Sequence, residues 1–240
     1  MKKIIQKITN KLGYDIFRSD ARFHPVITII ELAKKTKCNW IIDVGANVGQ
    51  YGLALREFDY AGNILSFEPL SDAHQKLVAV ASHDSNWIVA KRCALGSANG
   101  TSKINVSLNS VSSSLLDMGD LHKIEAPNSK YIKTEEIEVA TLDGVINDYL
   151  KSEDLIALKI DTQGYEKEVV TGALKSMERC MAIQLELNVK PMYQSDFLFE
   201  DALKLMKTLG FELYSISPGF SNSKTGQTFQ LDGTFLRSSL

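Results

Sequence analysis

Short apolar runs alternate with longer amphipathic segments through most of this chain. The apolar runs span residues 40–44, 64–68, 87–90, 155–161 and 181–187. Segments 72–82, 165–177 and 199–209 have the length and spacing of amphipathic helices. Alternation of strands and helices favours right-handed crossovers and a largely parallel sheet that helices cover on both faces. The pattern therefore predicts an open α/β sheet.

Two regions depart from this alternation. Residues 100–140 are polar and rich in serine, above all at 106–114, and end in an alternating run at 136–139 that is typical of a half-exposed strand. We expect substrate contacts in this insertion, because loops on a rigid sheet often carry specificity. Near the C-terminus, runs 211–216 and 228–236 predict an antiparallel hairpin.

The length of 240 residues is compatible with one large domain. We expect that domain at residues 39–240, with a helical extension at 1–38. Apolar residues with helical spacing begin the extension, and packing against the domain is favoured over binding at a membrane surface. These residues are Ile4, Ile5, Ile8, Leu12 and Ile16. The segment lacks the continuous apolar stretch of a signal peptide, and no transmembrane run is found.

Charge and cysteine content exclude several classes of protein. The 27 Lys and Arg against 29 Asp and Glu give a net charge of −2 without a basic stripe, which disfavours a nucleic-acid partner. Cys38, Cys93 and Cys180 are far apart in the sequence and odd in number, which argues against disulfides and a zinc site. A reducing, cytoplasmic location is expected. A homo-oligomer is left open.

The most informative segment is the loop at 43–51, Asp-Val-Gly-Ala-Asn-Val-Gly-Gln-Tyr, which joins a strand to a helix. Its glycine spacing fits neither a dinucleotide fingerprint nor a phosphate-binding P-loop. Asp43 before the glycines favours a ligand with positive charge, such as the ammonium and sulfonium of S-adenosylmethionine. Glu68 ends the second apolar run, where acidic residues bind ribose hydroxyls in related sheets. Together these features predict a nucleoside site.

Several motifs extend this prediction to a family. In chain order they are DVGANVGQYG, SFEP, CALGS, SVSSSLL, ATLD, LIALKIDTQGYE, LELN and QLDGTFLR. Over about residues 41–237 the chain resembles the FkbM family of S-adenosylmethionine-dependent O-methyltransferases. The resemblance implies a class I methyltransferase fold: a Rossmann-like three-layer α/β sandwich around a seven-stranded, mostly parallel sheet whose last strand is antiparallel.

The resemblance also implies a set of cofactor-binding residues. They are Asp43, Gly45, Ala46, Asn47, Gly49, Tyr51, Glu68, Pro69, Ala94, Leu95 and Asp161. The family usually has Val-Glu-Gly after the last aspartate, whereas this chain has Thr162, Gln163 and Gly164. An acidic group is therefore missing at position 163.

Methyl transfer to an alcohol also requires a group that takes the hydroxyl proton. Asp161 and Glu186 end adjacent strands and are the candidate bases. Lys159 lies on the same strand face as Asp161, where it would lower the carboxyl pKa or act as a base if desolvated. The catalytic candidates are therefore Asp161, Glu186 and Lys159.

Polar residues on nearby loops are candidates for acceptor binding. They are Asn109, Ser112, Ser113, Gln163, Asn188, Tyr193 and Asp232. A divalent metal bridging Asp161, Glu186 and Asp232 is conceivable on chemical grounds, but no ligand spacing requires it, so no metal site is predicted.

The leading hypothesis is methylation of a sugar hydroxyl in a nucleotide sugar or glycoconjugate precursor, as in polysaccharide biosynthesis. One alternative is methylation of a polyketide or another secondary metabolite. A second, from a different class, is a non-catalytic scaffold that binds the cofactor. A dehydrogenase is disfavoured by the glycine spacing.

Overall fold

The computed structural model describes residues 24–194 and 197–238, together with Thr9 and Lys11. The apolar positions Ile4, Ile5, Ile8, Leu12 and Ile16, for which a helix is expected, lie outside these residues.

The bounds of most elements follow the predicted alternation, but the helix predicted at 165–177 ends at Thr171. In chain order the described strands are β1 Trp40–Val44, β2 Asn63–Phe67, β3 Trp87–Val89, β4 Ala94–Leu95, β5 Gly100–Ser107, β6 Tyr131–Ala140, β7 Ile156–Ile160, β8 Cys180–Asn188, β9 Phe211–Pro218 and β10 Gln230–Arg237. The described α-helices are α1 Pro25–Thr36, α2 Gln50–Glu57, α3 Ser71–Ala81, α4 Asp120–Glu125, α5 Leu142–Val145, α6 Glu166–Thr171 and α7 Phe199–Thr208.

Seven of these strands form one sheet in the order β3-β2-β1-β7-β8-β10-β9. Neighbours from β3 to β8 pair in parallel, whereas β10 is antiparallel to both β8 and β9. The predicted class I methyltransferase fold, with its antiparallel last strand and terminal hairpin, is confirmed. The carboxyl ends of β1, β2 and β7 meet at one edge, where open α/β sheets bind ligands.

Apolar layers cover both faces of this sheet. On one face, Ile42 and Val44 of β1 belong to a core closed by α6 and α7. On the other face, Ile41 packs with Ile29 and Ile30 of α1. Helix α1 thus shares its core with the sheet, while the division at residue 38 remains a prediction.

The insertion at 100–140 folds into a small sheet of its own. Its strands have the order β4-β6-β5, with β5 and β6 antiparallel. Strand β6 begins at Tyr131, whereas the prediction covered only 136–139. The first half of the strand was missed because it is rich in Lys and Glu, which have low strand propensity. The serine-rich segment lies between β5 and β6.

None of the helices within the described ranges has the length and apolar character needed to cross a membrane.

Candidate active site

A row of buried polar residues crosses the α1 face of the sheet. We call it the polar row: Ser66, Asp43, Lys159, Gln184 and Thr234, which are neighbours in register on β2, β1, β7, β8 and β10. Because side chains alternate between faces, the residues two positions earlier on β1, β7 and β8 lie on the same face. Those residues, Ile41, Ala157 and Ala182, are apolar core. The polar row is thus one layer deep and lies toward the ligand-binding edge.

Lys159 is at the centre of the polar row. Its Nζ lies 3.2 Å from Asp43 Oδ1, 3.4 Å from Asp161 Oδ2 and 5.0 Å from the centre of the Tyr51 ring. Burial alone would lower the Lys159 pKa, but the carboxylates of Asp43 and Asp161 outweigh it and raise the pKa. Lys159 is therefore an ammonium at neutral pH, which favours an electrostatic role over that of a base.

Asp43 is fully buried and depends on this ammonium. Burial raises the pKa of Asp43, and Lys159 opposes that shift. Of the described residues, only Lys159 forms an ion pair with Asp43. The acid of the glycine loop is thus turned toward the sheet, and it does not line the cavity described below.

Gln184 connects the polar row to two helices. Tyr51 donates its hydroxyl hydrogen to Gln184 Oε1 at 2.7 Å, and Gln184 Nε2 donates to the Pro25 carbonyl and to Thr234 Oγ1, both at 3.1 Å. Helix α1 thereby begins directly over the polar row. Gln184 was not predicted, although an amide side chain inside the apolar run 181–187 was a usable signal.

A second set of polar residues lies one layer closer to the ligand-binding edge, and we call it the carboxylate row: Asp161, Glu186 and Asp232. Asp232 is directly opposite Glu186 in the β8–β10 register, and Asp161 follows β7. Gln163 Nε2 donates to Asp161 Oδ1 at 2.9 Å and to Glu186 Oε2 at 2.7 Å. The Tyr193 hydroxyl donates to Gln163 Oε1 at 2.6 Å. Four predicted residues thus form one hydrogen-bond network: Asp161, Gln163, Glu186 and Tyr193. A fifth, Asp232, lies beside it.

Glu186 and Asp232 of the carboxylate row have raised pKa values. Burial raises the pKa of Glu186 well above its ordinary value, and the charges of Asp161, Glu166 and Asp232 add to that shift. Burial also raises the pKa of Asp232, to about 6, with Asp161 adding to the increase and Lys159 opposing it. A pKa of about 6 at Asp232 is suited to proton transfer near neutral pH.

The glycine loop passes directly over the end of β7. Gly45 has φ of 82°, and a Cβ there would lie 1.9 Å from the Asp161 carbonyl oxygen. Only glycine fits such a close approach in this left-handed conformation. Asn47 also adopts a left-handed φ, of 48°. The loop conformation thereby fixes the positions of β1 and Asp161 relative to each other.

Glu68 follows β2 and holds the other side of the loop. Its Oε2 accepts a hydrogen bond from the Asn47 amide and its Oε1 one from the Leu70 amide, both at 2.8 Å. Burial raises the pKa of Glu68 to about 7, although both amide hydrogen bonds oppose this. Each carboxylate oxygen keeps a further acceptor lone pair for a ligand hydroxyl.

These groups surround a cavity of about 360 Å³ at the carboxyl edge of the sheet. The predicted residues that line it are Gly45, Ala46, Asn47, Tyr51, Glu68, Pro69, Ala94, Leu95, Ser113, Lys159, Asp161, Gln163 and Asp232. The predicted residues that do not are Asp43, Gly49, Asn109, Ser112, Glu186, Asn188 and Tyr193. The roles assigned to all of them stay predictions.

Two predicted acceptor residues have partners within the serine-rich loop. Asn109 Nδ2 donates to Ser112 Oγ at 3.1 Å, and Ser112 Oγ donates to Ser129 Oγ at 3.0 Å. Ser110, which was not predicted, lines the cavity and accepts from Asn47 Nδ2 at 3.2 Å. The sequence of the serine-rich segment did not show which of its residues line the cavity and which bond to each other.

The chemistry of the lining fits S-adenosylmethionine. Leu70, Leu95 and Ile104 offer apolar surface to a purine, and Glu68 offers acceptors for ribose hydroxyls. Asp161 and Asp232 offer negative charge to an ammonium and a sulfonium. Within the described ranges, no cluster of three or more His, Cys, Asp or Glu residues is arranged to hold a metal ion.

Comparison with known proteins agrees with this geometry. A family model, the methyltransferase FkbM domain, matches residues 43–213. No curated protein matches the sequence significantly.

Among solved structures, magnesium protoporphyrin IX methyltransferase from Synechocystis PCC 6803, with bound S-adenosylmethionine, is 10% identical. The alignment covers 99% of this chain and 97% of that one, with a TM-score of 0.47. The plantazolicin methyltransferase is 9% identical over 89% of this chain and 86% of that one, with a TM-score of 0.48. The family match covers more than half of the chain and includes every residue of the two rows except Thr234 and Asp232. This chain belongs to the FkbM family of S-adenosylmethionine-dependent methyltransferases.

Proposed function

We propose that this methyltransferase transfers the methyl group to a hydroxyl of a carbohydrate. The observation that carries the proposal is the set of carboxylates and small polar side chains in the cavity lining, among them Asp161, Asp232, Gln163 and Ser113. Carboxylates and small polar groups suit an acceptor with several hydroxyls, one of which must lose its proton during transfer.

Another part of the cavity would hold the cofactor. Glu68 would accept hydrogen bonds from the ribose, the Gly45 loop would contact the methionine part, and Leu95 and Ile104 would enclose the adenine. The bound cofactor supplies an electrophilic methyl group. The protein would then orient the acceptor oxygen in line with the methyl carbon and exclude water.

A nucleotide sugar or a glycoconjugate precursor is the acceptor class that we favour, in polysaccharide biosynthesis. Ser110 and Ser113 present hydroxyl groups at the cavity wall, and small hydroxyl side chains can serve both as donors and as acceptors toward sugar hydroxyls. We also propose a cytoplasmic location, which is consistent with three free, buried cysteines.

Incubation of the purified protein with methyl-labelled cofactor and a panel of acceptors tests the proposal. The panel contains nucleotide sugars, p-nitrophenyl glycosides, phenolic polyketides, RNA and a protein mixture. Label in a methyl ether of a sugar is expected. Label only in RNA or protein would refute the carbohydrate assignment, and binding without transfer to any acceptor would favour a scaffold.

An apolar acceptor is the second candidate, and Val111 favours it. This side chain lines the cavity yet is 48% exposed, so an apolar ligand could cover it. Preference for the polyketide members of the panel over the glycosides would support this candidate.

A further inference from the structure

Three carboxylates of the carboxylate row compete for the role of general base, and their surroundings differ. The inference below rests on the proposed transfer to a hydroxyl. It concerns which of Asp161, Glu186 and Asp232 has an oxygen free to take a proton from an acceptor in the cavity.

Asp161 is engaged on both sides. Its Oδ1 accepts from Gln163 Nε2 at 2.9 Å, and its Oδ2 lies 3.4 Å from the Lys159 ammonium. Both Asp161 oxygens thus already have partners within the protein, which an acceptor hydroxyl would have to displace.

Glu186 already accepts hydrogen bonds within the protein, and it lies outside the cavity lining. Its Oε2 accepts from Gln163 Nε2 at 2.7 Å and from Gln230 Nε2 at 2.9 Å. It does not line the cavity. A general base must come within hydrogen-bond reach of the proton that it removes, and Glu186 lacks that access.

Asp232 differs from both residues. It lines the cavity, and its carboxylate accepts no hydrogen bond and forms no ion pair with any residue in 24–194 or 197–238. Its place opposite Glu186 in the register puts its carboxylate on the same sheet face as Asp161, at the same edge. Unlike Asp161 it has no engaged oxygen among these residues, and unlike Glu186 it lines the cavity.

We propose that Asp232 is the general base of methyl transfer. The acceptor O–H proton passes to an Asp232 oxygen while the acceptor oxygen bonds to the methyl carbon and the carbon–sulfur bond breaks. The sulfonium becomes a neutral thioether, the aspartate becomes a neutral acid, and Asp232 later releases the proton to solvent. Charge and atoms balance without a further reactant.

The charged groups around Asp232 are consistent with this role. Lys159 and Asp161 face it from the β7 side, Glu186 from β8 and the Tyr51 hydroxyl from α2. Burial raises the Asp232 pKa to about 6. At neutral pH the residue is therefore ionised, yet more basic than an ordinary aspartate.

The variant Asp232→Asn keeps the shape and removes the basicity. Asp120→Asn is the matched control, because the Asp120 side chain is 93% exposed. Calorimetry with S-adenosylhomocysteine checks that the Asp232 variant still binds a cofactor. Transfer to p-nitrophenyl glycosides is expected to fall by roughly 10²- to 10⁴-fold in Asp232→Asn and to be unchanged in the control.

The pH profile separates a base from a structural residue. In wild type the acid limb of kcat/KM should have an apparent pKa of about 6, and Asp232→Asn should lose that limb. Transfer within about threefold of wild type in the variant, or an unchanged acid limb, would overturn the assignment.

A readout without an acceptor keeps this test independent of the carbohydrate proposal. If wild type methylates no glycoside, the carbohydrate assignment fails, and carbon NMR titration of the Asp232 carboxyl in the ligand-free protein decides the base. Titration near the value of about 6 supports Asp232. Titration near the ordinary aspartate value of about 3.9 overturns it.

Discussion

The buried pair of Lys159 and Asp43 predicts strong energetic coupling between β7 and the glycine loop. Lys159→Met removes the ammonium and keeps most of the side-chain volume. Asp43 is 0% exposed, and its charge partner lies 3.2 Å away, so the variant leaves a buried carboxylate without a counterion. Removal of one member of a buried ion pair costs about 3–5 kcal/mol, and we expect a loss of that order.

A double-mutant cycle isolates the pair from other effects. Asp43→Asn combined with Lys159→Met removes both charges, and Asp161, whose side chain is 36% exposed, remains solvated. The double variant should therefore be more stable than Lys159→Met alone, with an interaction energy of about 2 kcal/mol. Urea unfolding followed by tryptophan fluorescence measures all four proteins.

The pH dependence gives a second signature. Without Lys159, burial raises the pKa of folded Asp43 unopposed, so the folded state takes up a proton as pH falls. The loss of unfolding free energy in Lys159→Met relative to wild type should therefore become smaller as pH falls from about 8 to 5. The change should be at most roughly 1.4 kcal/mol for each pH unit below the pKa of folded Asp43. The double variant should lack this trend. An interaction energy below about 0.5 kcal/mol, or a deficit that is independent of pH, would refute the reasoning.

Three further predictions concern the loops and helix that frame the site. Gly45→Ala should lower the free energy of unfolding in urea by about 3 kcal/mol, because the new Cβ would lie 1.9 Å from a backbone carbonyl oxygen. The control Gly226→Ala, where the glycine also has positive φ but the Cβ would meet open space, should lower it by about 1 kcal/mol. Equal losses in the two variants would contradict this prediction. Glu68→Ala should weaken S-adenosylhomocysteine binding by roughly 10- to 100-fold in calorimetry, since two hydroxyl acceptors are lost; unchanged affinity would exclude a ribose contact. Burial raises the Glu166 pKa to about 7, so this residue favours folding at acidic pH and loses that contribution as pH rises toward 7. Glu166→Gln keeps the acceptor for the Thr162 amide and should reduce the fall in unfolding free energy between about pH 5 and pH 8 by roughly 1–3 kcal/mol. Parallel plots of unfolding free energy against pH for wild type and variant would contradict this prediction.

The sheet was predictable because its strands are buried on both faces and therefore form continuous apolar runs. Residues 40–44 and 155–161 have this pattern, and glycine or a helix-length segment follows each. Strand β6 was only partly predictable, since it belongs to a small sheet with one exposed face. Its Lys and Glu residues are stable there because solvent reaches them.

The candidate site was predictable at the level of the chain segment but not of the side chain. Sequence order places Asp161, Glu186 and Asp232 near one edge, yet it does not show that Gln163 links the first two and leaves the third free. Likewise, the motif assigns Asp43 to the ligand, whereas its closest charged partner is Lys159. Pairing across distant strands depends on register, which local sequence does not specify.

The polar row also bears on how the strands find their alignment during folding. Apolar runs such as those of β1 and β7 would bury similar surface in several alignments. A slip of one residue would place Lys159 among Ile42 and Val44 on the opposite face. A slip of two would set it beside Ile41 and separate it from Asp43. Either misaligned sheet would contain an unpaired buried charge, at a cost of several kcal/mol, so the row discriminates against wrong pairings of otherwise interchangeable strands.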